Sequence, residues 1–291
     1  MTERSERFRQ LVGKTEVGLP RFSPEERKTV LQDARSFVIE VRSIAPEAGV
    51  SRELFQKWIP RAQDFAQPEK IANNIHAHHN KRHVGAVVGE EMFLLPYVNA
   101  LYADNLSHRK LLTNAVYAGA AGHDLLRTHD VWGAVPKRLY KVHGEKMAQE
   151  VREEKRFPDL SPIERSVAAT SIQYHDVDPR KPSARNPEDE LLAIVDRGEL
   201  ARLMYGVGII ATSAQKLEPV IGKNLFESQQ HYDSYYFPGL AEKIQPLSKA
   251  MLILSLEGIK NGLSQTDAVW HAMEELGMTR EQPVVLENPA A

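Results

Sequence analysis

Apolar residues along this chain recur at intervals of three and four rather than two. Val30, Ala34, Phe37, Val38 and Val41 fall on one face of a helix, and Val167, Ala168, Ser171 and Ile172 repeat the pattern further on. Strand signals are scarce, with no Asn-Gly or Asp-Gly turn between alternating apolar residues. Helix starts, by contrast, are spelled out three times, at Ser23-Pro24-Glu25-Glu26, Ser161-Pro162-Ile163-Glu164 and Asn186-Pro187-Glu188-Asp189. Each places a capping oxygen first and proline at the opening helical position. A carboxylate follows three residues after the cap, where it meets the positive end of the helix dipole. The predicted fold class is all-α.

Proline, glycine or charge clusters break the periodicity at residues 45–49, 67–69, 157–160, 177–187 and 237–239. The chain divides accordingly into an N-terminal helical segment, residues 1–70, a central core, 71–215, and a C-terminal helical segment, 216–291, packed on that core. Residues 282–291 are polar and proline-containing, as a frayed end is. The apolar runs at 205–212 and 251–256 are too short to span a bilayer, and residues 1–10 alternate charges where a secretory signal would be apolar. The expectation is a cytoplasmic protein with no membrane partner.

Composition narrows the chemistry. The 291 residues contain no cysteine, which excludes disulfides, thiolate metal sites and cysteine nucleophiles. Any metal must sit on histidine and carboxylate. The formal net charge is −2 with the two signs interleaved, so the chain lacks the basic footprint that duplex nucleic acid requires. A small anion needs only a local cluster of charge.

Histidine is where the chain departs from the average: nine of eleven lie between His76 and His175. His79 and His83 are one helical turn apart on the same face. The pair His123-Asp124 follows the small apolar run Ala115, Val116, Ala118, Gly119, Ala120 and Ala121, which allows a helix to pack closely and carry the pair into the interior. A buried aspartate needs a cation beside it. Asp196 interrupts an apolar helix, Leu191 to Val195, and taken alone reads as a surface acid paired with Arg197 or Arg202. His76, His78, His108, His129, His231 and His271 read as ordinary core or surface residues.

Taken in order, these pieces resemble the HD-domain superfamily of metal-dependent phosphohydrolases, whose pattern is a His, a His-Asp pair and a late Asp on a helical core. The likeness runs from about His79 to Arg202. His79-Asn80-Lys81-Arg82-His83 is similar to the His-Asn-x-x-His segment of the cyclic-nucleotide phosphodiesterase branch, and Val195-Asp196-Arg197 resembles the closing Ala-Asp-Arg. The resemblance implies that His83, His123, Asp124 and Asp196 hold one metal ion and that His79 protonates the leaving group. Val142-His143-Gly144-Glu145 and Tyr174-His175-Asp176 resemble the elements that supply extra histidines in two-metal branches such as HD-GYP. By that likeness His143 and His175 hold a second ion, with Asp124 bridging both.

The resemblance therefore implies hydrolysis of a phosphate ester, a nucleotide by family weight, through a metal-activated water. Asp124 and His79 would be catalytic, with one or two divalent ions (Fe, Mn, Zn, Co or Mg) as cofactor. Arg127, Arg180 and Lys181 are candidates for binding substrate phosphate, because guanidinium forks match its oxygens. Lys137, Arg138 and Arg185 are further bases nearby, and the aromatic stretch from His231 to Phe237 suits a pocket roof, stacking on a base or core packing. Departures narrow the substrate. No Gly-Tyr-Pro element follows His123-Asp124, Asp176 replaces the second His of a His-His doublet, and Arg127 stands where many relatives carry Lys. Leu125-Leu126-Arg127-Thr128 lacks the Glu-Asp pair of guanosine-tetraphosphate hydrolases. Two rivals remain open: an HD-type di-iron oxygenase, and a non-catalytic nucleotide- or metal-binding regulatory protein. Homo-oligomerisation is also left open.

Overall fold

The computed structural model describes residues 23–64, 80–107, 109–126, 137–175, 186–200 and 234–280. Among them the regular structure is helical: α1 (Pro24–Ile44), α2 (Arg52–Gln63), α3 (Lys81–Leu101), α4 (Thr113–Gly122), α5 (Lys137–Arg152), α6 (Pro162–Tyr174), α7 (Pro187–Leu200), α8 (Leu240–Lys260) and α9 (Gln265–Leu276). No strand occurs among the described residues. One isolated parallel bridge, Val50 to Thr279, ties the end of α9 to the α1–α2 connection. The protein is all-α, as the periodicity predicts.

The three sequence-marked starts form as written. Ser23 and Ser161 close full capping boxes with Glu26 and Glu164, and the Asn186 Oδ1 accepts from the Asp189 amide at 2.8 Å. Each such cap stabilises its helix by about 1 kcal/mol. On α1 the buried stripe is Leu31, Ala34, Phe37, Val38 and Val41, with Val30 packed at its margin. Each large member contributes roughly 1.5–3 kcal/mol by leaving water.

Helix α3 is the axis of the molecule. It packs against α2, α4, α7 and α9, and also meets α1 and α8. Residues 82–95 of it are all buried, whichever way they face. A helix buried on every side must lie inside a larger assembly. Among the described residues α3 is the helix with the length and composition to cross a bilayer, and most of it is enclosed by the neighbouring helices. On one flank α8 packs against α1 and α9; on the other α6 packs against α4, α5 and α7, α4 also meets α7, and α8 reaches α7. The bend between α5 and α6 holds Phe157 at φ 49°, a left-handed conformation that costs a bulky residue about 1–2 kcal/mol. Burial of its ring beside Trp58, with centroids 5.9 Å apart, offsets that strain.

Candidate metal centre

The second flank of α3 is where the histidines meet. Helix α4 can enter so deeply because of its small residues. A Cβ on Gly122 would lie 2.6 Å from the Ile172 Cδ1 of α6, closer than real side chains approach. At the end of that helix His123 is the C-cap, its amide bonded to the Gly119 carbonyl and its Nδ1 lying 2.7 Å from the Ala120 carbonyl. A carbonyl only accepts, so Nδ1 carries the proton and Nε2 is left with a lone pair facing the interior. Helix α6 ends in the same way. His175 is its C-cap, and the Nδ1 of His175 lies 2.7 Å from the Ile172 carbonyl. One local device thus fixes two imidazoles on two helices.

His83 arrives from the other direction, in the first turn of α3, with its amide donating to the Asn80 side chain at 2.9 Å. Its Nε2 lies 3.1 Å from Asp196 Oδ1, 3.5 Å from Asp124 Oδ2 and 3.4 Å from His123 Nε2. The His123 Nε2 is 3.3 Å from Asp124 Oδ2 and 3.6 Å from Asp196 Oδ1. Asp196 is therefore not the surface acid that its local sequence suggests, being only 2% exposed and turned towards two imidazoles. The other oxygen of Asp124, Oδ1, is 3.9 Å from the Nε2 of His143, which α5 supplies. The rings of His143 and His175 are 5.5 Å apart, and those of His123 and His175 5.4 Å.

No family model, characterised protein or solved structure matches the chain. What the centre can hold is therefore read from its own atoms. Among the described residues two groups of donors emerge, His83 with His123 and Asp124, and Asp124 with His143 and His175, each gathered within 4.8 Å. Asp124 belongs to both. A tetrahedral ion with bonds of about 2.1 Å sets its ligand atoms about 3.4 Å apart. The imidazole–imidazole and imidazole–carboxylate separations among His83, His123, Asp124 and Asp196 run from 3.1 to 3.6 Å. These buried His/Asp groups are able to hold metal ions. Imidazole with carboxylate suits Zn, Fe, Mn or Co better than an all-oxygen ion such as Ca.

Electrostatics agree with the geometry. Burial pulls the His123 pKa down, but the carboxylates of Asp124 and Asp196 outweigh it and raise the group to about 9. Burial opposes the charge on Asp196, yet His83 and His123 hold that carboxyl well below the usual carboxylate range. Without a cation, then, the cluster draws in a proton.

His79, Arg127, Arg180 and Lys181 lie outside the described residues, as do Asp176 and Arg185. The structure also buries acids that the sequence reading passed over. Glu90 and Glu91 sit at the middle of α3, wholly enclosed. The Glu90 Oε2 accepts from the Ser248 hydroxyl at 2.8 Å. The Glu91 carboxyl is pushed well above its ordinary value by burial; His123 draws it down and Asp196 adds to the rise. Two adjacent acids within an otherwise apolar run, Val84 to Leu95, were the available signal.

Proposed function

We propose that this protein is a metal-dependent phosphohydrolase of HD type, acting in the cytoplasm on a small phosphate ester such as a nucleotide or cyclic nucleotide. The observation that carries the reading is the position of Asp124, with one carboxylate oxygen towards His83 and His123 and the other towards His143. A carboxylate placed so would be able to serve two ions at once. Bound divalent ions would lower the pKa of a shared water towards neutrality and neutralise charge developing on a phosphoryl oxygen.

The chain's own residues supply the rest. His83, His123 and Asp196 complete one ligand set with Asp124, and His143 with His175 completes the other. The four imidazoles bring no negative charge, so only two carboxylates among the ligands offset the cations, and the loaded site stays positive towards a phosphate. The Nδ1 bonds of His123 and His175 keep their rings from turning, which avoids reorganisation during the reaction. Burial of the donors keeps bulk water out and strengthens every charge interaction there. The order His83, His123-Asp124, Asp196 supports the HD assignment. Within it, His79 protonates the leaving oxygen, and Arg127, Arg180 and Lys181 receive phosphate.

The test is to purify the protein without chelator, measure its metals by elemental analysis, and assay phosphodiester and phosphomonoester substrates with Mn added. About two transition-metal ions per chain are expected, with hydrolysis abolished by Asp124→Ala. Absence of metal, and of activity after reconstitution, refutes the reading. Iron content with oxygen uptake and no ester hydrolysis points instead to an oxygenase.

A further inference from the structure

The proposed ligand sets leave one buried acid of α3 without a task. Glu91 lies eight residues beyond His83 on the same helix and is 0% exposed. Neither of its carboxyl oxygens reaches water or has a hydrogen-bond partner. Burying a carboxyl in that state is costly, and an unpartnered buried group calls for a cause such as an ion. The adjacent Glu90 is different, because its Oε2 accepts a hydrogen bond from Ser248.

The surroundings of Glu91 identify the cause. Helix α3 packs directly against α4, which ends at His123 and Asp124, and against α7, which carries Asp196. The Glu91 carboxyl lies within electrostatic range of His123 and Asp196, and of Tyr117 on α4. Its oxygens belong to neither donor group and make no contact like that of Asp196 Oδ1 with the His83 imidazole at 3.1 Å, so it stands behind the ligands rather than among them. Two divalent ions bring four positive charges, of which Asp124 and Asp196 offset two while the neutral imidazoles offset none. An excess of positive charge inside a protein stabilises any carboxylate beside it.

We infer that Glu91 is the countercharge of the loaded metal cluster, an affinity-setting carboxylate that strengthens cation binding without touching the cations. The inference rests on the metal-site reading above. It predicts an acid that favours the metal-loaded protein and disfavours the metal-free one, where the same group has nothing to balance.

The experiment titrates Mn into the chelator-stripped full-length protein by calorimetry and records the thermal melt of the metal-free samples. Glu91→Gln keeps shape and removes charge. Its metal-free melting temperature is expected to equal or exceed that of wild type, while Mn binding weakens by about tenfold or more. Glu91→Asp restores the charge and is expected to recover most of the affinity. Mn binding by Glu91→Gln as tight as wild type overturns the inference while leaving the metal site standing. Weakened binding together with a lower metal-free melting temperature also overturns it, because the residue would then act through packing. A wild-type protein that takes up no Mn overturns the metal reading itself.

Discussion

Gly144 offers a sharp test of how the second donor group is built. It stands in α5 beside His143, where that helix crosses the last turn of α6. A Cβ added there would lie 2.9 Å from the Ile172 carbonyl oxygen and 3.5 Å from that of Gln173. Ordinary contact begins near 3.4 Å, so α5 has to retreat by roughly 0.5 Å to relieve the overlap. Two effects oppose each other in Gly144→Ala. Helix propensity favours alanine by about 1 kcal/mol, whereas forcing packed elements apart costs about 1–3 kcal/mol. The obstacle is backbone in a regular helix and cannot rotate aside, so the steric term wins. The net loss, up to about 2 kcal/mol, lowers the melting temperature of a chain this size by up to about 6 °C. His143 moves with α5, and its Nε2 is already 3.9 Å from Asp124. The second donor group opens, while His83, His123 and Asp196 on the other helices stay where they are. Thermal melts and Mn titration of the chelator-stripped variant are expected to show a lower melting temperature, one ion bound as in wild type and the other weakened. A melting temperature raised by about 2–4 °C, as propensity alone demands, would refute the reasoning, as would equal weakening of both ions.

Two further outcomes follow from the charges. In metal-free protein the folded-state pKa of His123, about 9, lies above its value of about 6.5 in an unfolded chain. The stability from that proton is therefore complete below about pH 6.5 and is lost as pH rises through about 9, by up to about 3 kcal/mol. Asp196, held low, contributes in the opposite sense, with stability present above about pH 4 and lost on acidification below it. Urea denaturation at pH 6.5 and 9.5 should show the alkaline loss without metal and a flatter response with saturating Mn; metal-free stability that is level or rises would contradict the assignment. At the start of α7, Arg109 grips the buried Glu188 with two hydrogen bonds of 2.8 Å, and the Leu112 amide adds a third at 3.0 Å. Because Glu188 is enclosed and Arg109 is 43% exposed on its side-chain surface, Arg109→Ala is expected to cost about 1–3 kcal/mol, read as a lower urea midpoint. An unchanged midpoint would show that the amide and the helix dipole suffice.

How far the sequence discloses this molecule depends on the range of the interactions involved. Capping is local: Ser23 and Glu26, or Ser161 and Glu164, meet within one turn, so the starts of α1 and α6 are legible from four residues. The close entry of α4 is legible too, because a run of small side chains has a steric consequence whatever lies opposite. Convergence is another matter. Nothing in the spacing of His83, His123, His143, His175 and Asp196 says that five helices bring them to one point; that expectation came from the order of motifs in a resembling family. Asp196 shows the limit most clearly, since an acid followed by arginine reads locally as a surface pair and is in fact enclosed against His83. Helix α3 escaped for a related reason. Periodicity reveals a helix with one wet face, and a helix buried on every side has none to reveal.

The placement of the six donors also links metal binding to the fold. His83 stands at the start of α3, His123 and Asp124 at the end of α4, His143 within α5, His175 at the end of α6 and Asp196 within α7. Five helices therefore depend on one junction for their mutual positions. Two carboxylates enclosed there would destabilise that junction if nothing positive faced them. In the metal-free chain the proton drawn onto His123 supplies part of the compensation, which is why its pKa lies so far above the ordinary value for an imidazole. A cation held in either donor group would do the same with more charge and with bonds to the donors of that group. At a hundred times its dissociation constant, it adds about 2.7 kcal/mol to the folded state. Proton and metal would thus compete for the same place, and whichever occupied it would help to hold the helices around α3 in register.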